Sequence, residues 1–175
     1  MRTFLRNFMW VVLTTMILGY GAGSQAAEPE LKDAQATALQ SGGKDVLKLW
    51  VPADAKVTNK DGKLSVKRNK IEDVEIWAVK DAKTIDDAIG KLDDVIAEEF
   101  KKFKATETKD TTVAGAPAKR LLGDGEEADD GDPGHADIIV FKVGDRVFVA
   151  CTHGETLKPG AQEMMVAALK TAKAP

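Results

Sequence analysis

A chain of 175 residues with 25 basic and 28 acidic side chains carries a net charge of −3. That is one domain's worth of protein, without the basic field that nucleic-acid binding needs. Its single cysteine, Cys151, excludes an intrachain disulfide, so the core must hold without staples.

Residues 1–26 carry the three-part pattern of an export signal: Arg2 and Arg6 without an acid, an apolar run from Phe8 to Leu18, and small residues around Ser24-Gln25-Ala26. The apolar run is short for about 30 Å of hydrocarbon, so cleavage is expected rather than a stable membrane span. With the only cysteine at position 151, a lipid anchor near the cleavage region is not expected. The expected location is therefore periplasmic or secreted. Tyr20 and Trp10 leave with the signal, and Trp50, Trp77, Phe100, Phe103, Phe141 and Phe148 remain as aromatics. These are too few for a base- or sugar-stacking platform.

Residues 27–44 are rich in Ala, Gln and Lys and stop at Ser41-Gly42-Gly43, which predicts a short helix or a loose N-terminal arm. A single domain is expected over 45–172. Val46–Val51 reads as a strand closed by Pro52. Asp61-Gly62 is a two-residue turn signal whose register pairs Lys60 with Lys63, Asn59 with Leu64 and Val57 with Val66. Val74–Val79 is a further strand. Thr84 with Asp87 makes a capping box. Ile85, Ala88, Ile89, Leu92, Val95, Ile96, Phe100 and Phe103 then recur at helical spacing, predicting one long amphipathic helix from Ile85 to Phe103.

Thr106–Val113 and Pro117–Leu122 form a second hairpin about Ala114-Gly115, with Pro117 marking a strand end or edge. Asp124–Pro133 is an acidic loop. Ile138–Val143 and Arg146–Cys151 flank Gly144-Asp145, a glycine-first pair suited to a type II′ turn. That register opposes Phe141 to Phe148, Val140 to Val149, Ile139 to Ala150 and Ile138 to Cys151, so both faces of the hairpin are apolar and both must be covered. A terminal helix from Pro159 buries Ala161, Met164, Met165, Ala168 and Leu169.

These patterns define an α+β fold: an antiparallel sheet of about six or seven strands with helices on both faces. Trp50-Val51-Pro52 at the end of the first strand, the helical stretch Ile85–Phe103, the Gly115-Ala116-Pro117-Ala118 strand entry and the central hairpin with its terminal helix together resemble the PsbP-like family. That fold is shared with a nuclear-import factor that binds the Ran GTPase. The resemblance implies an α/β/α sandwich and a binding or assembly role, and it carries over no ligand residue.

Candidate chemistry is sparse. Cys151 and His153 lie two apart on one strand, some 6.6–6.8 Å along the chain and beyond direct hydrogen-bond reach. A buried thiol in apolar surroundings is inert. A zinc site from His135, Cys151 and His153 with Asp137 needs three convergent ligands. The register instead sets His153 opposite Ala136 on the Cys151 face, with His135 and Asp137 on the other. Asp124, Glu126, Glu127, Asp129, Asp130 and Asp132 offer the oxygens calcium takes. An EF-hand alignment on Gly131 nevertheless puts Ala128 at a ligand position, and a solvated loop is the competing reading.

Ser41 and Ser65 lie outside any Gly-x-Ser-x-Gly motif, and no Walker-type glycine loop occurs. Lys56, Lys60, Lys63, Lys67, Arg68 and Lys70 make the first hairpin basic, either as edge protection or as a docking patch beside Trp50 and Trp77. The expectation is a non-enzymatic binding or assembly module without cofactor, whose partner is an unknown protein or envelope component. The alternative is a calcium- or zinc-dependent protein, or a small enzyme using the acidic loop or Cys151 and His153.

Overall fold

A computed structural model describes residues 33–60 and 62–175. The signal pattern over 1–26 and the turn residue Asp61 lie outside the described residues. Among the described residues, nine strands occur in chain order with three helices: β1 (Ala34–Ser41), β2 (Lys44–Pro52), β3 (Lys56–Lys60), β4 (Lys63–Arg68), β5 (Glu72–Ala78), α1 (Ile85–Ile89), α2 (Leu92–Ile96), β6 (Phe100–Val113), β7 (Ala116–Glu127), β8 (Pro133–Val143), β9 (Arg146–Gly154) and α3 (Pro159–Lys170). Seven strands form one antiparallel sheet in the order β3-β4-β5-β9-β8-β7-β6, and β1 and β2 form a separate two-stranded ribbon.

The central hairpin has the register its turn residues demand. Val143 faces Arg146, Phe141 faces Phe148, Ile139 faces Ala150 and Ile138 faces Cys151. Gly144 alone of the turn pair takes a positive φ, +58°, the conformation that a glycine-first turn needs. Period-two alternation then divides the strands between two cores. Ile139, Phe141, Phe148 and Ala150 pack with Met164, Met165, Ala168 and Leu169 of α3 and with Leu39, Leu47, Leu49 and Val51 of the ribbon. Ile138, Val140, Val147, Val149 and Cys151 pack on the opposite face with Ala88 of α1 and Leu92 and Ile96 of α2. The first hairpin also follows its predicted register, Lys60 to Lys63 and Val57 to Val66. Pro117 stands one residue before pairing of β7 with β8 begins at Ala118.

Three expectations are corrected. The stretch read as a helix or loose arm contains strand β1, because Gly42 and Gly43, at φ +58° and +75°, form a hairpin turn rather than a helix stop. Pairing of Leu39 with Leu47, both fully buried, overrides the helical composition. The long helix is instead two five-residue helices. The Thr84–Asp87 capping box is present, with Asp87 N–H donating to Thr84 Oγ1 at 3.0 Å and Thr84 N–H to Asp87 Oδ2 at 3.0 Å. The helix then breaks across Gly90 and Lys91 and ends at Ile96.

Phe100 and Phe103 belong to β6, where residues three apart would normally face opposite sides. A bulge between Lys101 and Lys104, with Lys102 at φ +55°, turns both rings to one face. There they lie over glycines. A Cβ on Gly125 would stand 2.3 Å from Phe100 Cε1, and one on Gly123 would stand 2.6 Å from Phe103 Cε2. The acidic loop is likewise shorter than expected, since Asp124–Glu127 complete β7 and the first three of them pair with Pro133–His135 of β8.

Candidate functional site

Cys151 is fully buried, opposite Ile138 on one side and Glu75 on the other. Burial, with the nearby Glu75 carboxylate behind it, pushes the thiol well above its ordinary range, which makes it a poor nucleophile at neutral pH. The sheet itself divides the zinc set. Asp137 points to the α3 face, where Arg120 Nε donates to Oδ1 at 2.8 Å, Arg120 Nη2 pairs with Oδ2, and Gln162 Nε2 donates to Oδ2 at 2.7 Å. His135 is exposed and meets Asp124 Oδ1 through Nδ1 at 2.7 Å. His153 lies on the other face.

The six acidic residues are dispersed. Asp124 is held by His135, Glu126 Oε1 by Lys102 Nζ at 2.8 Å, and Glu127 Oε2 by His153 Nδ1 at 2.8 Å. Asp129, Asp130 and Asp132 sit on the tight turn that follows, which is closed by Glu127 N–H donating to Asp132 O and Asp132 N–H to Asp130 Oδ1. The basic hairpin is partly neutralised: Lys67 pairs with Asp73 at 2.6 Å and Arg68 with Asp54 at 3.0 Å. β3 is an edge strand, which suits its lysines to edge protection.

Strand order assembles a cluster whose members are far apart in sequence. β5 lies between β4 and β9, so Lys63, Glu75 and His153 share the face beneath α1 and α2. Glu99 joins them from the link between α2 and β6, where its carbonyl accepts Ala128 N–H at 3.0 Å. Lys63 Nζ pairs with Glu99 Oε1 and stands 3.4 Å from Glu75 Oε1 and 5.8 Å from the Trp77 ring centroid. The His153 ring is tilted against Phe100 with centroids 5.7 Å apart.

Donor atoms of Glu75, Glu99 and His153 lie within 4.8 Å of one another, the one such group of three among the described residues. Glu75 Oε2 and Glu127 Oε1 are buried without a hydrogen-bond partner among the described residues. Burial, reinforced by the Glu99 charge and only partly offset by Lys63, pushes the Glu75 carboxyl up to about 7. Burial alone would lower the Lys63 ammonium, but Glu99 and Glu75 together raise it. Sequence reasoning missed Glu75 and Glu99. The available signal was an acid sharing a strand face with Trp77 between the inward-pointing Val74 and Ile76.

A second feature lies on the outside of the ribbon. Leu47, Leu49 and Val51 point inward, so Trp50 points out and is 43% exposed. Its cross-strand neighbour is the small Ala36, which leaves the indole open. With Gln40, Lys48, Asn59 and Lys173 it lines a concave surface of about 530 Å³. Its backbone is fixed from below by Trp50 N–H donating to Thr171 Oγ1 at 2.8 Å. Trp77, by contrast, is 9% exposed.

The fold defines an α+β sandwich with a seven-stranded antiparallel sheet. No family model matches the chain, and no curated protein matches it in sequence. Among solved structures it is similar to a protein from Bacteroides thetaiotaomicron VPI-5482 (TM-score 0.55, 11% identity, covering 82% of this chain and 49% of that one). The chain thus spans about half the length of that protein, and at this identity the likeness shows the fold alone. Weaker likenesses are to PA94, a Pseudomonas aeruginosa protein of unknown function (TM-score 0.38, 11% identity, 73% of this chain and 85% of that one). Another is to LpqN, involved in cell envelope biogenesis of Mycobacterium tuberculosis (TM-score 0.43, 16% identity, 82% and 93%). No helix among the described residues is long and apolar enough to cross a membrane.

Proposed function

We propose that this chain is a non-enzymatic binding module that acts in the periplasm or outside the cell, and that it docks a partner protein on the ribbon surface around Trp50. The observation that carries the reading is the exposure of Trp50 on a concave surface whose backbone is fixed from beneath by α3. Large aromatics on a rigid frame are the commonest binding anchors. The reactive groups point the same way: the thiol is buried, and both imidazoles are tied to carboxylates. The signal pattern over residues 1–26 supports export, and the resemblance of the sequence pattern to the PsbP-like family supports an assembly role.

A photo-cross-linking residue placed at the exposed Gln40 tests this in the producing cell. The expected result is one discrete adduct that Trp50→Ala weakens at least tenfold. A free monomer, or an adduct indifferent to Trp50→Ala, contradicts the reading.

A further inference from the structure

We propose that Glu75, Glu99 and His153 form a binding site for a divalent transition-metal ion of the zinc type, with Glu127 fixing the imidazole from behind. The site lies on the sheet face away from Trp50 and stands independently of the docking role.

The donor set comes first. Two carboxylates and one imidazole, from β5, the α2–β6 link and β9, bring ligand atoms within 4.8 Å of one another. Zinc binds such nitrogen and oxygen donors at about 2.0–2.2 Å, so a small inward movement of flexible glutamates completes coordination. Three protein ligands leave one position for water. Imidazole in the set favours zinc over calcium, which takes six to eight oxygens.

The surroundings fit a metal ligand set. His153 Nδ1 meets Glu127 Oε2 at 2.8 Å, which leaves the other ring nitrogen for an ion. A carboxylate behind the imidazole sets its tautomer and orientation in just this way at metal centres. Gly134 makes room for that carboxylate, since a Cβ there would stand 2.6 Å from Glu127 Oε1.

The independent sign of a missing ligand is Glu75. Its side chain is only 6% exposed, and its Oε2 has no hydrogen-bond partner among the described residues, a state folded proteins rarely leave uncompensated. Glu127 adds a third carboxylate to the cluster through His153. Lys63 is the competitor, because its ammonium contacts both Glu75 and Glu99. A cavity of about 360 Å³ lined by Trp77, Asp94, Val95 and Glu98 opens beside it. This gives the lysine a place to turn into and the ion a way in.

Calorimetric titration of tag-free protein with zinc chloride, with calcium chloride as the comparison, tests the site. The expected result is one zinc equivalent bound and little calcium. Glu127→Gln lowers zinc affinity about 10- to 100-fold, and Glu99→Gln and His153→Gln lower it further. Lys63→Gln raises it, because the competing cation is gone. His135→Gln leaves it unchanged. Glu99 is partly exposed, so Glu99→Gln decides the matter should His153→Gln fail to fold. Absence of zinc binding overturns the proposal, as does binding that survives Glu99→Gln, is lost in His135→Gln, or falls in Lys63→Gln. Calcium binding in preference to zinc overturns it as well, and points to the acidic turn.

Discussion

On the face covered by α3, Asp137 is completely buried, yet Arg120 grips it with two donors and Gln162 adds a third. On the face covered by α1 and α2, Glu75 is almost as deeply buried and shares one ammonium with Glu99, and one of its oxygens has no hydrogen-bond partner among the described residues. The same sheet therefore holds one finished polar network and one unfinished one. The first network ties α3 to β7 and β8 and gives each Asp137 oxygen a donor. An unfinished one keeps a cost of about 1–3 kcal/mol that a ligand can relieve.

The largest expected effect breaks the finished side. Arg120→Met leaves the buried Asp137 held only by Gln162, and should cost about 3–5 kcal/mol in urea unfolding. The double variant Arg120→Met/Asp137→Leu should recover most of that loss.

The next prediction sharpens the unfinished side. Glu75 titrates near 7 in the folded chain against about 4.5 when unfolded, so between those values the folded state holds a proton that the unfolded state has released. Raising the pH through this window strips that proton and removes up to about 3 kcal/mol of stability, most of it gone above pH 7. Other carboxylates titrate as well, so the readout is the difference between the wild type and Glu75→Gln, measured with chelator present. Relative to Glu75→Gln, the wild type should lose ground as pH rises from 4.5 to 7. A flat difference would mean that Glu75 is solvated like a surface acid.

Gly125→Ala tests the packing around Phe100, whose ring meets His153. Its Cβ would meet Phe100 Cε1 at 2.3 Å and Lys101 O at 2.5 Å, an overpacking cost of about 1–3 kcal/mol by thermal or urea unfolding. The smallest effect concerns a turn remote from both networks. Ala114 sits at φ +48° ahead of Gly115 at +80°, a pair of left-handed residues that favours Asn-Gly. Ala114→Asn should stabilise by about 0.5–1 kcal/mol in the same assay.

The finished half of this picture was the more legible from sequence. Gly144-Asp145 fixes a register, and period-two alternation then assigns every residue of β8 and β9 to a face, including the separation of His135 and Asp137 from Cys151 and His153. The α3 stripe followed from its own spacing. The unfinished half rests on information that no local window contains. Glu75, Glu99 and His153 meet because β9 inserts beside β5, a matter of strand order. The helical spacing of Ile96, Phe100 and Phe103 is imitated by a bulged strand, since a left-handed Lys102 restores to one face what alternation would have split. In β1 an Ala- and Gln-rich composition gave way to cross-strand burial of Leu39 against Leu47.

Anomalous diffraction at the zinc edge, on crystals grown with one equivalent of zinc, tests the contrast between the two faces most directly. The account predicts a single peak among Glu75, Glu99 and His153, with the Lys63 ammonium withdrawn and the Asp137–Arg120–Gln162 network unchanged. A peak at His135 and Asp124, or no peak with Lys63 still bridging its two glutamates, would contradict it.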